Sequence, residues 1–410
     1  MTKLVIIGGG HAAAQIATSL RMKKFEGDVT LVSDEPVVPY QRPPLSKMYL
    51  SGEIGAERLP ILREQAYASA NIGLKLGVRA TSIDRAEKTL ALANGEVLPY
   101  DKLILAVGGH ARRLSCKGAD LAGIHYVRTM TDTDAMRGEF NTAKRIVIVG
   151  GGYIGLEVAA VARRAGKDVT ILEAADRILA RVVAPEVSAF YTRLHTEEGV
   201  DIHTGEMVTE VEGNDRAAAV LTDSGKRFES DMIVAGIGLS PNIELATSAG
   251  ITALDAGIEV NEHCQTSDPD IYAVGDVAWF THSHYGRTMR LESVQNAVDQ
   301  AKVAVEHIMG DDAAYDALPW FWSDQYGLKL QIAGLSEGYD SLVVRGDPAA
   351  RSVAYFYMKG GKMLAADCIG RIAEFINAKK LITARLDIDA ALLRDESRPF
   401  KEIAAEMLTA

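Results

Sequence analysis

Short runs of consecutive apolar residues, each ending at a glycine, recur along the chain. One run, Leu4–Ile7, stops at Gly8, and a similar run, Ile146–Val149, stops at Gly150. Runs of this kind, rich in β-branched residues, predict strands that are buried on both faces of a parallel sheet. A stretch rich in small residues follows each glycine turn and predicts a helix. The pattern therefore predicts two strand–turn–helix units about 140 residues apart.

The first glycine turn has the spacing G-x-G-x-x-A, formed by Gly8, Gly10 and Ala13. Gly8 permits a tight turn, Gly10 allows a pyrophosphate to approach the backbone, and the small Ala13 lets the helix pack close to the strand. The helical pattern begins at Ala12, and free N–H groups at a helix start favour bound phosphate. The turn is therefore a candidate dinucleotide cradle.

The next predicted strand, Asp28–Val32, is followed by two acids, Asp34 and Glu35. An acid at this distance from the glycine turn can accept a hydrogen bond from a ribose hydroxyl. We favour Asp34 for this role, with Glu35 as the alternative. The competing interpretation is that both carboxylates only cap a solvated loop.

The second turn completes G-x-G-x-x-G with Gly150, Gly152 and Gly155, and its next predicted strand ends in Glu173. Glu173 is expected to bind the 2'-hydroxyl of an adenosine ribose and to repel a 2'-phosphate. This predicts a preference for NADH over NADPH. Arg177 could offset that charge if its side chain reached back.

Two cradles predict two dinucleotides, FAD in the first and NADH in the second. A hydride donor and an organic electron acceptor on one chain define a flavin oxidoreductase. Three further strands run into glycines at Tyr100–Gly109, Asp231–Gly238 and Ile271–Asp276. The Asp276 carboxylate, at the end of the last of these, could bind the ribityl or phosphate end of a flavin.

Composition narrows the function classes. The 410 residues are 48% hydrophobic and 6% aromatic, with a net charge of −11, so most of the surface should repel nucleic acid and anionic lipid. Neither a membrane span nor a signal peptide is predicted. The three cysteines, Cys116, Cys264 and Cys368, form no C-x-x-C pair or metal spacing, which is typical of a reducing cytoplasm.

The order of these signals resembles the two-dinucleotide flavoproteins of the glutathione reductase class. Within that class the chain resembles NADH-dependent ferredoxin reductases of the putidaredoxin reductase type, which serve bacterial oxygenases. The resemblance is carried by Gly8–Ala13, Arg42–Lys47 (RPPLSK), Gly150–Glu157, Thr266–Asp276, Glu292–Ala297 and Pro319–Gln325 (PWFWSDQ). It implies an α/β fold with two Rossmann-like domains, one nested in the other, and a C-terminal α+β domain.

The implied domains are an FAD-binding domain at 1–110 and 245–318, an NADH-binding domain at 111–244, and a C-terminal domain at 319–410 that covers the flavin and meets the acceptor. In the last domain, Leu328–Ala333, Ser341–Val344, Val353–Met358 and Lys362–Ile369 are predicted strands, and Ile372–Ala384 is a predicted helix.

Disulfide reductases of this class carry a C-x-x-x-x-C pair beside the flavin, and no cysteine here precedes Cys116. A dithiol relay is therefore excluded at that position, and electrons must leave the flavin directly.

The resemblance also implies catalytic roles. Lys47 would lie near the flavin N5 paired with Glu157, and Trp322 near the flavin edge. A structural ion pair for the first two residues, and a core anchor for the tryptophan, are the alternatives. Further cofactor-binding positions are implied at Ala12, Ala80, Arg128, Gly238, Asp276 and Val294.

The function predicted is transfer of a hydride from NADH to FAD and then of single electrons to a [2Fe-2S] ferredoxin that feeds a monooxygenase or dioxygenase. A monomer or weak homodimer is expected, with no nucleic-acid or membrane partner. From Asp316 onward the chain has 12 Lys and Arg against 13 Asp and Glu, so this part is less acidic than the rest. Its basic residues could steer an acidic ferredoxin or form an ordinary solvated face: Lys379, Lys380, Arg385, Arg394, Arg398 and Lys401.

Two other functions remain possible from the residues. A rubredoxin reductase would reduce its flavin with NADH in the same way and differ only in the protein that accepts the electrons. A redox-sensing or interaction protein would bind NADH tightly and turn over slowly. A flavoprotein oxidase or peroxide-reducing enzyme is disfavoured because no reactive cysteine is evident near the flavin.

Overall fold

The structure, a computed structural model, describes residues 1–409. The strands are β1 (Lys3–Ile7), β2 (Asp28–Ser33), β3 (Ile72–Leu76), β4 (Ala80–Asp84), β5 (Thr89–Leu92), β6 (Val97–Pro99), β7 (Lys102–Leu105), β8 (Gly109–Ala111), β9 (Ile124–His125), β10 (Arg145–Val149), β11 (Asp168–Glu173), β12 (Val200–Thr204), β13 (Val208–Gly213), β14 (Ala217–Thr222), β15 (Arg227–Glu229), β16 (Met232–Ala235), β17 (Leu239–Pro241), β18 (Ala253–Leu254), β19 (Gly257–Glu259), β20 (Ile271–Ala273), β21 (Ala278–His282), β22 (Arg287–Met289), β23 (Trp320–Gln325), β24 (Leu328–Gly334), β25 (Ser341–Asp347), β26 (Ser352–Lys359) and β27 (Lys362–Ile369).

The α-helices are α1 (His11–Met22), α2 (Met48–Ser51), α3 (Glu64–Ser69), α4 (Met130–Phe140), α5 (Tyr153–Arg164), α6 (Pro185–Glu197), α7 (Glu244–Ser248), α8 (Val294–Ile308), α9 (Ile372–Ala384), α10 (Ala390–Arg394) and α11 (Phe400–Thr409). Short 3-10 helices lie at Pro43–Ser46, Ala56–Arg58 and Gly275–Val277.

The chain divides into two compact units. The first unit comprises Met1–Arg42, Gly55–His110 and Leu239–Ala317, and the second comprises Pro43–Ile54, Ala111–Gly238 and the chain from Leu318 onward. The second unit therefore contains both the second glycine turn and the C-terminal sheet. It also contains the short segment Pro43–Ile54, which lies within the predicted FAD-binding domain at 1–110. The three-domain boundaries remain a prediction.

The first unit is built on a five-stranded parallel sheet in the order β20-β7-β1-β2-β3. Its central strand β1 is apolar from Leu4 to Ile7 and buried on both faces, because helices cover an all-parallel sheet from both sides. The small residues of α1 allow this helix to pack against α8. A Cβ added at Gly275 would lie 3.6 Å from the Cβ of Ala12 on α1 and 3.5 Å from that of Ala297 on α8. The glycine turn thus lies at the carboxyl end of the sheet, where ligands bind in such folds.

The second unit repeats this arrangement with a parallel sheet in the order β12-β11-β10-β16-β9. Its C-terminal part is a five-stranded antiparallel sheet in the order β23-β24-β27-β26-β25. Helices α9 and α11 pack with this sheet around a core that includes Phe356, Phe375 and Phe400. The predicted α/β fold with two Rossmann-like sheets and a C-terminal α+β part is confirmed.

The predicted strands and helix of the C-terminal part are present with small changes at their ends. The PWFWSDQ motif also forms a strand, β23, which the apolar pattern of the sequence does not predict. Its alternation places Phe321, Ser323 and Gln325 on one face and the two tryptophans on the other. The first of these faces carries polar residues that are buried, an arrangement that argues for partners in the neighbouring elements.

Candidate functional site

The first glycine turn forms an open cradle. Gly8 has φ of +141°, and a Cβ there would lie 2.2 Å from the carbonyl oxygen of Ala106, so the turn requires glycine. At Gly10 the nearest atom to an added Cβ is Nε of Arg42, 3.8 Å away. Gly10 precedes α1 and provides no side-chain cap, and Ala13 is fully buried. The space above Gly10 and the amides that begin α1 therefore suit a pyrophosphate.

The two candidate ribose acids differ in their surroundings. Asp34 is 55% exposed at its side chain and lies 3.2 Å from the guanidinium group of Arg79. Glu35 is half-buried and accepts hydrogen bonds from Arg42 (2.7 Å) and from the hydroxyl of Tyr40 (2.6 Å). Our assignment of the ribose contact to Asp34 stays a prediction. Glu35, the alternative, is the more buried of the two acids and is held by two side-chain donors.

Arg42, which the sequence indicates only as part of the RPPLSK motif, lies beside the first cradle. Burial acts to lower the pKa of Arg42, but Tyr40, Glu35 and Asp276 raise it above its usual range. The guanidinium group therefore stays charged beside the cradle, where it can balance the charge of a pyrophosphate. Its position in RPPLSK, just after the second strand, was the available signal.

The second glycine turn has the same geometry in the second unit. Gly150 has φ of +107°, and an added Cβ would lie 2.5 Å from the carbonyl oxygen of Gly236. An added Cβ at Gly155 would lie 2.2 Å from the carbonyl oxygen of Gly150, so helix α5 needs glycine to pack this closely. At Gly152 the nearest atom is 3.9 Å away. Gly238, at φ of +111°, ends the connection after β16 and has similarly open space.

Glu173 ends β11 beside this turn. Its carboxylate accepts hydrogen bonds from the backbone N–H of Gly151 (2.6 Å) and of Ala175 (2.8 Å), and it is therefore held in place before any ligand binds. Arg177 donates instead to the carbonyl oxygens of Ala180 and Val183. The alternative that Arg177 reaches back to offset the Glu173 charge is thus not supported.

The predicted pairing of Lys47 with Glu157 is present. Lys47 Nζ lies 2.7 Å from Glu157 Oε2, with 15% and 5% of the two side chains exposed. Two serines not recognised from the sequence complete the site, since Ser46 donates to Oε2 (2.6 Å) and Ser323 donates to Oε1 (2.7 Å). Pro43 contributes its carbonyl oxygen to Lys47 at 3.2 Å. A buried ion pair is stable only when such additional hydrogen bonds satisfy its atoms.

Trp322 lies on the face of β23 opposite Ser323. It is only partly buried, and its ring lies 5.6 Å from that of Trp320 and 6.3 Å from that of Phe321. Full enclosure in a core, which was the alternative for this residue, is therefore not observed. Its assignment near the flavin stays a prediction.

The remaining predicted cofactor positions lie at the ends of elements. In the first unit Ala80 begins β4, Asp276 follows β20, and Val294 begins α8 next to the capping residue Ser293. In the second unit Arg128 directly precedes the capping residue Thr129 of α4. All four residues are partly exposed, and their roles stay predictions.

The basic residues of the C-terminal part differ in their surroundings. Arg398 is paired with Glu406, and Lys379 lies over the rings of Trp320 and Phe375 at 5.2 and 5.3 Å. Lys380, Arg394 and Lys401 are exposed. Arg385 is exposed as well, and the use of these residues as a cationic face for a ferredoxin stays a prediction.

All three cysteines are unpaired thiols, and burial raises the pKa of Cys116 and of the fully enclosed Cys264. Within residues 1–409 there is no group of three or more His, Cys, Asp or Glu side chains suited to a metal ion. No helix in the described chain is both long and apolar enough to cross a membrane.

Comparison with known proteins assigns the family. The pyridine nucleotide-disulphide oxidoreductase family matches residues 2–301, and the reductase C-terminal family matches residues 320–404. The chain belongs to the pyridine nucleotide-disulphide oxidoreductases. This confirms the resemblance drawn from the sequence motifs, although the family's name refers to a disulfide that this chain lacks.

Several members of the family are similar over almost their whole length. Putidaredoxin reductase CamA of Pseudomonas putida is 46% identical over 408 residues, covering 98% of this chain and 96% of that protein. The ferredoxin reductase subunit of 5,5'-dehydrodivanillate O-demethylase from Sphingobium sp. (strain NBRC 103272 / SYK-6) is 45% identical, covering 98% of both. A crystal structure of a covalent putidaredoxin reductase–putidaredoxin complex matches with a TM-score of 0.96 at 44% identity, covering 100% of this chain and 99% of that one.

Proposed function

We propose that the protein is an NADH-dependent ferredoxin reductase. FAD held at the first cradle would supply a hydride acceptor for NADH and a one-electron donor for a [2Fe-2S] ferredoxin of an oxygenase system. The observation that carries this proposal is the presence of two open dinucleotide cradles and a buried Lys47–Glu157 pair in a chain without a cysteine pair. Two relatives support the choice of acceptor, since one is named as the ferredoxin reductase subunit of an O-demethylase and the other as the ferredoxin–NAD(+) reductase component of an anthranilate 1,2-dioxygenase system.

The residues of the chain bind and align the two dinucleotides. Open space at Gly10 and Gly152 admits the pyrophosphates, and the amides at the starts of α1 and α5 supply hydrogen-bond donors. Arg42 adds a cation at the first cradle. Alignment of reacting groups in this way accounts for much of the rate in reactions that need no protein acid or base.

Glu173 supports the choice of NADH. Its carboxylate is fixed by two backbone N–H groups, and the nearby Arg177 is bonded to carbonyl oxygens. A 2'-phosphate would therefore face an uncompensated negative charge, whereas a 2'-hydroxyl can donate to that charge.

Lys47 provides a cation that is held by Glu157 and by the carbonyl oxygen of Pro43. Beside a bound flavin, this ammonium group would favour a negatively charged reduced ring, as a fixed cation does most effectively away from water. Its position beside the flavin N5 is part of the proposal.

A rubredoxin reductase is the second candidate, because the rubredoxin–NAD(+) reductase of Pseudomonas putida is 38% identical over 367 residues. Both candidates reduce the flavin with NADH, and they differ in the protein that accepts the electrons.

Purified protein reconstituted with FAD tests both. We expect NADH to bleach the flavin absorbance, NADPH to do so poorly, and cytochrome c reduction to require a [2Fe-2S] ferredoxin and to saturate at micromolar concentrations. Saturation with rubredoxin alone would select the second candidate. Slow turnover with ferricyanide would point instead to a redox sensor and contradict the proposal.

A further inference from the structure

Glu157 is the end of a buried row of hydrogen bonds in the second unit. Ser323 Oγ lies 2.7 Å from Glu157 Oε1, and Gln325 Nε2 lies 3.1 Å from Ser323 Oγ. Gln325 Oε1 lies 2.7 Å from Nε2 of His195 on α6, and the His195 Nδ1 lies 3.2 Å from the hydroxyl of Tyr326. The three middle residues are at most 1% exposed. The row therefore links α6 to the ion pair of Lys47 without passing through water.

The direction of every bond in this row follows from the charge at its end. A carboxylate that already binds the Lys47 ammonium can only accept, so Ser323 donates its single proton to Glu157. The serine oxygen then accepts from the amide N–H of Gln325. The carbonyl oxygen of Gln325 must accept in turn, which places the proton of His195 on Nε2. Nδ1 is left bare and accepts from the Tyr326 hydroxyl.

A neutral imidazole is required for this arrangement, since an imidazolium could not accept at Nδ1. Burial lowers the pKa of His195 to about 4, against the raising influence of its bond to Gln325 and of the charge of Glu198. The carboxamide of Gln325 also prevents the row from relaying protons, because an amide neither gains nor loses a proton at neutral pH. The row is therefore a fixed set of dipoles, each with its positive end towards Glu157.

We propose that His195, acting through Gln325 and Ser323, is a positioning residue that holds Glu157 as an ordered anion and so fixes the ammonium group of Lys47. This inference rests on the proposed function for the reaction that Lys47 serves. The Lys47 side chain alone has four rotatable bonds and loses considerable entropy when held in place. A carboxylate fixed on both oxygens restricts where that ammonium group can lie.

Two substitutions of His195 separate the effect of its hydrogen bond to Gln325 from the effect of its size. His195→Phe keeps an aromatic ring but removes the donor to Gln325, whereas His195→Gln places an amide N–H near the position of Nε2. Ser188→Ala is the matched control, because Ser188 is buried on the same helix and bonds only outside the row, to the carbonyl oxygen of Ile178. Each variant is loaded with FAD and mixed with NADH in a stopped-flow instrument, and its melting temperature is measured.

We expect the limiting rate of flavin reduction to fall about tenfold in His195→Phe while the dissociation constant of NADH changes less than about twofold, because the loss lies in alignment and not in binding. His195→Gln should recover most of the rate, and Ser188→Ala should keep it even if it melts earlier. An unchanged limiting rate in His195→Phe, equal losses in the two His195 variants, or a loss confined to NADH affinity would overturn the proposal.

A measurement independent of catalysis tests the direction of the row. In ¹⁵N-labelled protein, the imidazole signals assigned to His195 by comparison with His195→Gln should show a neutral ring with the proton on Nε2 from pH 5.5 to pH 8. A proton on Nδ1, or titration of the ring near its ordinary pKa, would refute the row even in an active enzyme. If NADH fails to reduce the flavin of the unaltered protein, the proposed function fails while this measurement still decides the row.

Discussion

Asp367 is a carboxyl group buried without a cation, and it makes the stability of the C-terminal sheet depend on pH. It is 2% exposed on β27 and accepts one hydrogen bond of 2.6 Å from the hydroxyl of Tyr357. The nearby hydroxyls of Tyr153 and Tyr191 are buried and have no partner. Burial raises the pKa of Asp367 from 3.8 to about 7, and the bond from Tyr357 acts in the opposite direction.

The sign of the effect follows from proton binding. The folded protein holds the Asp367 proton more tightly than the unfolded chain does, so the stabilisation is fully present below about pH 4 and is lost as pH rises to about 7. A difference of about three pH units, at about 1.4 kcal/mol each, corresponds to roughly 4 kcal/mol. Above that range the penalty for the buried charge is constant.

Asp367→Asn removes the charge and keeps an oxygen that can accept from Tyr357. We expect the variant to be more stable than the unaltered protein at pH 8 by a few kcal/mol, and slightly less stable at pH 5 by about 1 kcal/mol because its amide N–H groups need partners. Urea unfolding followed by tryptophan fluorescence is a suitable assay, since two of the three tryptophans, Trp320 and Trp322, lie in this sheet.

Asp324→Asn is the control, because Asp324 is a half-exposed acid of the same sheet that lies 3.3 Å from Lys329. It should show no comparable difference between the two pH values. The reasoning is refuted if Asp367→Asn changes the unfolding free energy by the same amount at pH 5 and pH 8, since the carboxyl group would then carry the same charge at both.

Three further predictions concern the nucleotide sites. Gly152→Val should fold with little change in melting temperature and weaken NADH binding at least about tenfold. Gly155→Val should instead lower the melting temperature, because only an added Cβ at Gly155 meets a backbone oxygen at 2.2 Å. Calorimetric melting and NADH titration distinguish the two variants, and equal melting temperatures would contradict the packing argument. Glu173→Gln keeps the size of the side chain but only one of its two acceptor oxygens, so the backbone N–H of either Gly151 or Ala175 loses its partner. Because the negative charge that repels a 2'-phosphate is removed, the NADPH-to-NADH ratio of kcat/KM should rise by about tenfold or more. An unchanged ratio in steady-state assays would remove Glu173 from selectivity. Lys47→Met should lower the midpoint potential of bound FAD, because a cation that favours the reduced, negatively charged ring is lost. A spectroelectrochemical titration that shows no change in potential would assign Lys47 a structural role.

The two cradles could be predicted from the sequence because their requirements are local. A positive φ at Gly8 or Gly150 and the close approach of a helix to its own turn depend on residues within a few positions of each other. The same holds for Glu173, which ends the strand after its turn, and for the missing cysteine pair. The buried apolar strands that carry the turns are likewise local patterns.

The environment of Glu157 arises only in the folded chain. Lys47 and Ser323 come from distant parts of the sequence and meet at the Glu157 carboxylate. His195, from a third part of the chain, is joined to it through Gln325 and Ser323. The PWFWSDQ motif did not reveal that its residues form a strand with a buried polar face, nor which partners those polar residues find. Likewise, nothing local distinguishes Asp367 from an exposed aspartate, because the shift of its pKa comes from loss of water on folding. Local backbone geometry is determined by adjacent residues, whereas burial and long-range contacts depend on which surfaces the whole chain brings together.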